Sequence, residues 1–383
     1  MTVLRTLNED FKKAKPRGPG RCLKRNYEGT SVMETGKVGR LLVAVTLFVL
    51  VAGSGLGRYG LIAQTPLAGT ADPARLESTT TDLSHFDTSG HKVHFVTVEP
   101  GVQLEVLDWG GTGETLVLLA GLGNTAHVFD DFAYQFIGRY HVIGITRRGF
   151  GRSSQPAQGY DLATRASDDI KVLDSLNIRD ASFVGHSIAG TELNKIGAAY
   201  PDRVKKLIYL DASDLGWGGW KELPQPPASP EPAVADLGSV QSLAAYLART
   251  EGYRVPIAEL CHQVVRDPAG KILDPITPPE VSRKIYKGLE PAEYNRIKAP
   301  ALGIFFPMTA QYRHPYYVEL DRTKQAEYER AIKPLAEWIG RAIQHFRDGV
   351  KGSKVVEISE TCHYVFIRDE AWVVREMRRF LEK

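Results

Sequence analysis

The sequence has little cysteine, with only Cys22, Cys261 and Cys362 in 383 residues. Three cysteines at these spacings fit neither a disulfide-built scaffold nor a zinc-binding pattern. Neither sign of charge dominates, since 48 Lys and Arg oppose 45 Asp and Glu. A nearly neutral chain gives no electrostatic reason to expect a nucleic-acid partner. The composition, 43% hydrophobic and 24% charged, is that of a soluble globular protein and excludes a disordered or polytopic membrane chain.

Long apolar runs are also scarce, with one exception near the N-terminus. Residues 1–40 carry ten Lys and Arg against four Asp and Glu, and the 13-residue apolar run Leu41–Gly53 follows. The stretch without charge extends to Gly57 and reaches 17 residues, the lower limit for crossing a bilayer. We therefore expect residues 1–63 to export the protein (periplasmic or secreted) or to anchor it, with no other membrane contact. A buried helix is the alternative, and a start at Met33 would give an ordinary signal layout.

The rest of the chain alternates between strand-like and helix-like segments. Residues 64–91 are polar and turn-rich and indicate a linker, so the folded body begins near Lys92. Apolar or alternating segments predict eight strands, at 91–98, 102–109, 114–120, 141–146, 181–184, 204–210, 301–306 and 354–358. Helix-like segments occur near 162–176, 188–200 and 369–381. This alternation predicts an α/β fold, a mostly parallel eight-stranded sheet with helices on both faces.

One stretch, residues 214–298, interrupts the alternation with a proline-rich loop and two helix-like pieces. We interpret it as a cap inserted between two sheet strands, which leaves residues 92–213 and 299–383 as the core. A further segment, 316–349, predicts one or two amphipathic helices. In an oxidising compartment Cys261 and Cys362 could form a disulfide, and two separate thiols are the equal alternative.

The strongest chemical motif is ASFVGHSIAG, residues 181–190. A short apolar strand runs into Gly185, His186 and Ser187 and then into a helix. A serine on such a tight turn projects its hydroxyl above the sheet edge, and the helix N-terminus directs N–H groups toward it. Gly185 and Gly190 are small enough for the close approach of strand and helix. The pattern therefore predicts that Ser187 is a nucleophile.

With this motif the sequence resembles the α/β-hydrolase superfamily over roughly residues 92–383. The resemblance also rests on VLLAGLG (117–123), RGFGRSS (148–154), YPDRV (200–204) and a histidine near the C-terminus. It implies a carboxylesterase-like serine hydrolase that cleaves an ester or similar acyl bond through an acyl-enzyme, without metal or cofactor. The expected partner is a small-molecule acyl substrate. The alternatives are a peptidase, lactonase or acyltransferase that uses the same Ser-His-Asp triad, and a non-catalytic ligand-binding module.

The resemblance also assigns the other site residues by position. His363 matches the general base, which follows the nucleophile and the acid along the chain. Leu122 and Ile188 match the residues whose backbone N–H groups form an oxyanion hole. The family usually has His-Gly where this chain has Ala120-Gly121, and that histidine is structural in most members.

The acid of the triad is the hardest residue to place. Most members carry it after the strand that corresponds to 301–306, but the loop Pro307–His314 has no carboxylate. A subset of the superfamily carries it at the end of the preceding strand, where this chain has Asp211. We therefore predict that Asp211 orients the catalytic histidine and stabilises its protonated form. The alternatives are Asp214, a carboxylate within 316–322, or no acid at all.

Two further motifs are ambiguous. Arg147–Ser153 is basic and glycine-rich, but no Gly-Lys-Ser/Thr ends it, so it predicts a structural turn rather than a phosphate site. Trp217, Trp220 and the pair Tyr316-Tyr317 either line an apolar acyl pocket or pack the cap.

Overall fold

The computed structural model describes residues 90–224, 227, 229–310 and 315–383. The basic segment, the apolar run and most of the predicted linker lie outside these residues, so export or anchoring stays a prediction. Within the part of the chain that is described, no helix has both the length and the apolar content needed to cross a membrane.

The described strands form a central sheet and a separate hairpin. They are β1 (Lys92–Glu99), β2 (Val102–Gly110), β3 (Glu114–Leu119), β4 (Tyr140–Ile145), β5 (Ala181–His186), β6 (Val204–Leu210), β7 (Val264–Arg266), β8 (Ile272–Pro275), β9 (Ala301–Phe305) and β10 (Lys354–Glu357). The sheet has the order β1-β2-β4-β3-β5-β6-β9-β10. Pairing is antiparallel between β1 and β2 and between β2 and β4, and parallel from β4 to β10. The predicted mostly parallel eight-stranded sheet is confirmed.

Helices cover both faces of this sheet. They are α1 (Asp130–Ala133), α2 (Leu162–Ser175), α3 (Ala189–Ala199), α4 (Val240–Glu251), α5 (Ile257–Cys261), α6 (Pro279–Lys287), α7 (Arg322–Gly349), α8 (Val365–Arg368) and α9 (Glu370–Leu381), with 3-10 turns at Ala126–Phe129, Pro201–Arg203, Leu215–Trp217, Tyr294–Arg296 and Pro315–Glu319. Side chains alternate along each strand, so β3 sends Leu116 and Leu118 into one core and Val117 and Leu119 into the other. Burial on both faces explains why four consecutive residues of β3, Leu116–Leu119, are apolar.

The predicted cap segment, 214–298, holds α4, α5, α6 and the hairpin of β7 with β8. As expected, it adds no strand to the sheet. The hairpin itself was not foreseen, because strands of three and four residues are too short to show a clear alternation. Cys261 and Cys362 are both buried and are not joined as a disulfide, which favours the alternative of separate thiols.

Candidate active site

Ser187 lies immediately after β5, on the turn that leads into α3. Its φ of 56° is in the left-handed region, a conformation that costs a non-glycine residue about 1–3 kcal/mol. The N–H of Gly190 donates to the Ser187 carbonyl at 2.9 Å and closes the turn. The serine is therefore held in the strained strand-to-helix turn that its sequence motif predicts.

The glycine at position 190 is needed because two backbones meet there. A Cβ on Gly190 would lie 2.6 Å from the carbonyl oxygen of Ala212, which is backbone and cannot rotate away. Ala212 follows directly on Asp211 at the end of β6. Glycine thus lets the Ser187 turn lie against the strand end that carries the predicted acid.

The sheet register brings Ser187 and Asp211 to the same edge. β5 pairs with β6 so that His186 lies opposite Leu210, and the N–H of Ser187 donates to the Leu210 carbonyl at 3.2 Å. Each of the two predicted residues is therefore the first residue beyond the carboxyl end of its strand. Asp211 also has a left-handed backbone, with φ of 44°.

Asp211 binds His363 directly. Its Oδ2 lies 2.5 Å from Nδ1 of His363, and its Oδ1 accepts the N–H of Phe306 at 3.0 Å. An ionised carboxylate only accepts hydrogen bonds, so this pairing places the proton of a neutral His363 on Nδ1 and leaves Nε2 as an acceptor. Nε2 is buried and has no hydrogen-bond partner among the described residues, so the hydrogen bond to Ser187 is not formed in this structure.

Two of the alternative acids, Asp214 and Asp321, accept hydrogen bonds elsewhere. Asp214 is buried and accepts the N–H groups of Gly216 at 3.0 Å and Ala292 at 3.2 Å. It therefore links Gly216, at the start of the predicted cap segment, to Ala292, near the end of that segment. Asp321 accepts the N–H of Lys324 at the start of α7. The structure joins Asp211, and neither of these two, to His363.

His186, which the sequence analysis gave no role, packs beside the predicted base. Its Nε2 lies 3.0 Å from the carbonyl oxygen of His363, so Nε2 carries a proton and donates. Burial, together with the neighbouring His363, lowers the pKa of His186 well below its usual value and keeps the ring neutral. A Cβ on Gly121 would lie 2.7 Å from Nδ1 of His186, which explains the glycine in the loop after β3.

The two predicted oxyanion-hole residues lie next to apolar side chains of the cap segment. Leu122 and Ile188 are buried in one cluster with Trp220 and Tyr286. Their backbone N–H groups donate to no other residue in the described ranges. Of the predicted aromatic lining, Trp220 is in this cluster, whereas Tyr316 belongs to a second cluster around Tyr328 and α7.

A buried ion pair behind the site was also missed from sequence. Arg147 donates from Nε and Nη2 to the two carboxylate oxygens of Glu192, both at 2.6 Å, and Arg165 binds the same carboxylate at 2.6 Å. Arg147 further donates to the carbonyl oxygens of Ala120 at 2.9 Å and Gly121 at 3.4 Å. Although burial opposes ionisation, the two guanidinium groups hold the pKa of Glu192 below its usual value. The basic segment therefore ties β4 to α3 and to the loop after β3.

We expect Glu192→Gln to lower the free energy of unfolding by about 3–5 kcal/mol, because it leaves two buried guanidinium groups without their shared counter-charge. Urea unfolding would measure the loss. Glu290→Gln is the control, since Glu290 is about half exposed (48%) where it pairs with Lys195, and a surface change of this kind stays within about 0.5 kcal/mol. Equal midpoints for Glu192→Gln and the wild type would contradict the prediction.

Two groups of side chains in the described ranges have the composition of a metal site. They are His91, His127 and Asp130, and Glu105, His127 and His262. The rings of His127 and His262 stack at 3.7 Å with 7° between their planes, whereas an ion bound by two imidazoles lies near both ring planes. His127 instead lies between the carboxylates of Asp130 at 3.2 Å and Glu105 at 3.7 Å. Against the effect of burial, these carboxylates raise the pKa of His127 to about 10, so the geometry suits an imidazolium between two anions.

Comparisons with known proteins agree with this fold. A family model described as the alpha/beta hydrolase family matches residues 116–376. A non-heme chloroperoxidase of Streptomyces lividans is 35% identical over 120 residues, 30% of this chain and 44% of that protein. A bifunctional esterase/perhydrolase of Acinetobacter calcoaceticus is 31% identical over 121 residues, 31% of this chain and 44% of that protein. The chain thus spans less than half the length of these curated relatives.

Solved structures show the same architecture. E-2-(acetamidomethylene)succinate hydrolase superposes with a TM-score of 0.55 at 17% identity, covering 76% of this chain and 100% of that one. An esterase from Rhodococcus sp. ECU1013 gives a TM-score of 0.53 at 17% identity, covering 76% of this chain and 98% of that one. Because the family model extends from β3 into α9 and these structures share the fold, the chain belongs to the α/β hydrolase family of enzymes.

Proposed function

We propose that this protein is a serine hydrolase that cleaves a carboxylic ester or a similar acyl bond. Ser187 is the nucleophile, His363 the general base and Asp211 the acid that orients it. The observation that carries the proposal is the 2.5 Å contact between Asp211 and His363, at the sheet edge where the strained Ser187 turn lies. The esterase among the relatives supports the same class of reaction.

The reaction follows from the placement of the protons. Ser187 Oγ attacks the carbonyl carbon while Nε2 of His363 takes the hydroxyl proton, and Asp211 stabilises the resulting imidazolium. The N–H groups of Leu122 and Ile188 bind the oxyanion, and removing one such donor costs about 2.7–4 kcal/mol of transition-state stabilisation. The imidazolium then protonates the leaving alcohol, and water repeats the sequence on the acyl-enzyme. Without substrate, the hydrogen bond from serine to histidine is often long and tightens in the complex.

The acyl group that fits this site carries an apolar portion. Leu122 and Ile188 lie with Trp220 and Tyr286 in a single buried hydrophobic cluster, so apolar side chains surround the proposed oxyanion donors. Burying an aliphatic or aromatic acyl chain against them yields about 25 cal/mol per Å² of area removed from water.

A fluorophosphonate probe tests the proposal. We expect Ser187 Oγ to form a bond to phosphorus as fluoride leaves, which mass spectrometry would detect as an adduct on the peptide that contains Ser187. Protein unfolded in urea is the control and should not react, because the activated geometry is lost. If the native protein stays unlabelled, the catalytic assignment fails and a ligand-binding module on this fold is favoured. If Ser187 is labelled but no ester is hydrolysed, the substrate belongs to another class of acyl compound.

A further inference from the structure

Glu259 is a fully buried carboxylate in α5, within the predicted cap segment. It accepts from Nδ2 of Asn124 at 2.9 Å, from the N–H of Thr125 at 3.0 Å and from the Thr125 hydroxyl. It also accepts from Nε2 of Gln263 at 2.5 Å. Burial raises the pKa of Glu259 to about 7, although the hydrogen bonds that Thr125 and Asn124 donate to it favour the ionised form. A neutral amide at this position would turn an N–H group toward other N–H groups.

Two of the partners of Glu259, Asn124 and Thr125, lie in the loop 121–125, which carries Leu122. Gln263, also from the predicted cap segment, donates to the carbonyl oxygen of Gly123 at 2.9 Å. On the core side, Arg147 donates to the carbonyl oxygen of Ala120 at 2.9 Å. The loop is therefore held on one side by the Arg147 guanidinium of the core and on the other by the Glu259 carboxyl group of the cap segment.

The direction of the Leu122 N–H depends on the peptide that joins it to Gly121. In a trans peptide the C=O and N–H groups point in opposite directions, so the contacts of the Gly121 oxygen also aim the Leu122 N–H. That oxygen accepts from the N–H of Asn124 at 3.3 Å and from Arg147 at 3.4 Å. Both hydrogen bonds are long, so they hold the Gly121 oxygen only loosely. Because the backbone N–H of Asn124 makes one of them, the direction of the Leu122 N–H depends on the position of Asn124. Glu259 is one of the two groups that hold the Asn124 side chain.

Asn124 also connects this loop to the segment of the predicted base. Its Oδ1 accepts the hydroxyl of Tyr364 at 2.8 Å, and Tyr364 is the residue after His363. The ring of Tyr364 stacks on Tyr253 of the cap segment at 4.0 Å. With Nδ2 on Glu259 and Oδ1 on Tyr364, both ends of the amide are fixed.

We propose that Glu259 is a positioning residue for the oxyanion hole, through which the cap holds the loop 121–125 and aims the Leu122 N–H at the developing charge. The inference rests on the proposed function, since it gives Glu259 a part in that reaction. Glu259 binds the loop and not the acyl group. Its removal therefore reduces the stabilisation of the transition state far more than it reduces the binding of the substrate.

Steady-state kinetics of Glu259→Gln on p-nitrophenyl esters test the proposal. Loss of an oxyanion donor costs about 10²–10³ in kcat, and a donor that is displaced costs less, so we expect kcat to fall about 10- to 100-fold while KM changes less than about threefold. The inhibition constant of a trifluoromethyl ketone, whose adduct with serine carries an oxyanion, should rise in parallel. That of the carboxylate product should stay the same. A purely structural role for Glu259 would not separate these two constants.

A second variant tests the donor–acceptor pattern itself. Adding Asn124→Asp to Glu259→Gln puts an acceptor opposite the new amide and restores the net charge, so we expect kcat to recover about tenfold.

If Glu259→Gln does not fold, Gln263→Met takes its place. It removes the donor to Gly123, and we expect kcat to fall about 3- to 10-fold with KM unchanged. An unchanged kcat in Gln263→Met would count against the inference.

The control is Asp236→Asn, another acid-to-amide substitution in the cap segment. Asp236 accepts the N–H of Ala233 at 2.8 Å and a hydrogen bond from Arg249 at 3.4 Å, so kcat should keep its wild-type value. A folded Glu259→Gln variant with wild-type kcat overturns the inference and leaves the proposed function intact. If the wild type neither hydrolyses esters nor reacts at Ser187, the proposed function fails, and the role of Glu259 fails with it.

Discussion

Replacing Ser187 with alanine is expected to lower kcat/KM for short p-nitrophenyl esters by about 10⁴- to 10⁶-fold. The serine oxygen is the atom that forms the acyl-enzyme, and alanine has no group that can take its place. Binding of the ester and the oxyanion donors remain, which leaves a small residual rate above that in water. Alanine fits the same turn, so the melting temperature should stay within about 2 °C of the wild type.

Ser182→Ala is the matched control for this experiment. Ser182 is a buried serine on β5, and its hydroxyl has no hydrogen-bond partner among the residues that the structure describes. Its replacement should leave the ester rate unchanged. Turnover by Ser187→Ala comparable to that of the wild type would refute the nucleophile, and with it the whole mechanism.

Replacing Asp211 with asparagine is expected to lower kcat by about 10⁴-fold. The amide oxygen can still accept the Phe306 N–H, which leaves the amide N–H group facing Nδ1 of His363. Nδ1 must then be the acceptor, so the proton of the neutral ring moves to Nε2. In that tautomer Nε2 has no lone pair with which to take the proton from Ser187.

Asp214→Asn is the control for the acid, because Asp214 is the neighbouring carboxylate that the sequence left as an alternative. Its amide loses one acceptor for Gly216 or Ala292, so it should reduce stability and leave kcat within a few-fold of the wild type. If Asp211→Asn instead keeps the rate within a few-fold, the acid lies elsewhere. A large loss of kcat in Asp214→Asn alone would favour Asp214.

The choice between Asp211 and Asp214 shows where sequence reasoning stops. The two are three residues apart, and each follows β6 closely enough to reach the sheet edge. What separates them is the direction of each side chain. At Asp211 this direction depends on the left-handed backbone and on the N–H of Phe306, which directly follows β9 and lies 95 residues away along the chain. Neither feature leaves a pattern in the sequence near residue 211.

Other parts of the site share this dependence on distant partners. Arg147 lies in a segment that looked like a turn, and Glu192 is a single acid in an apolar helix, so neither suggested an ion pair across 45 residues. Glu259 is 134 residues from Thr125, in a segment whose sequence predicted only that it was helical. A buried acid within an otherwise apolar helix is the one local sign that could have marked either carboxylate.

The sequence by itself determined the sheet and the serine turn, which follow from apolar patterns along single strands and from glycine at a tight turn, both local properties of neighbouring residues. The order of the other candidate site residues was implied by the resemblance to the α/β-hydrolase superfamily. Only the tertiary structure decided which carboxylate faces His363 and which groups hold the loop 121–125. Hydrogen-bond and ion-pair partners depend on the packing of segments that lie 45 to 152 residues apart along the chain, and that packing depends on the whole chain at once.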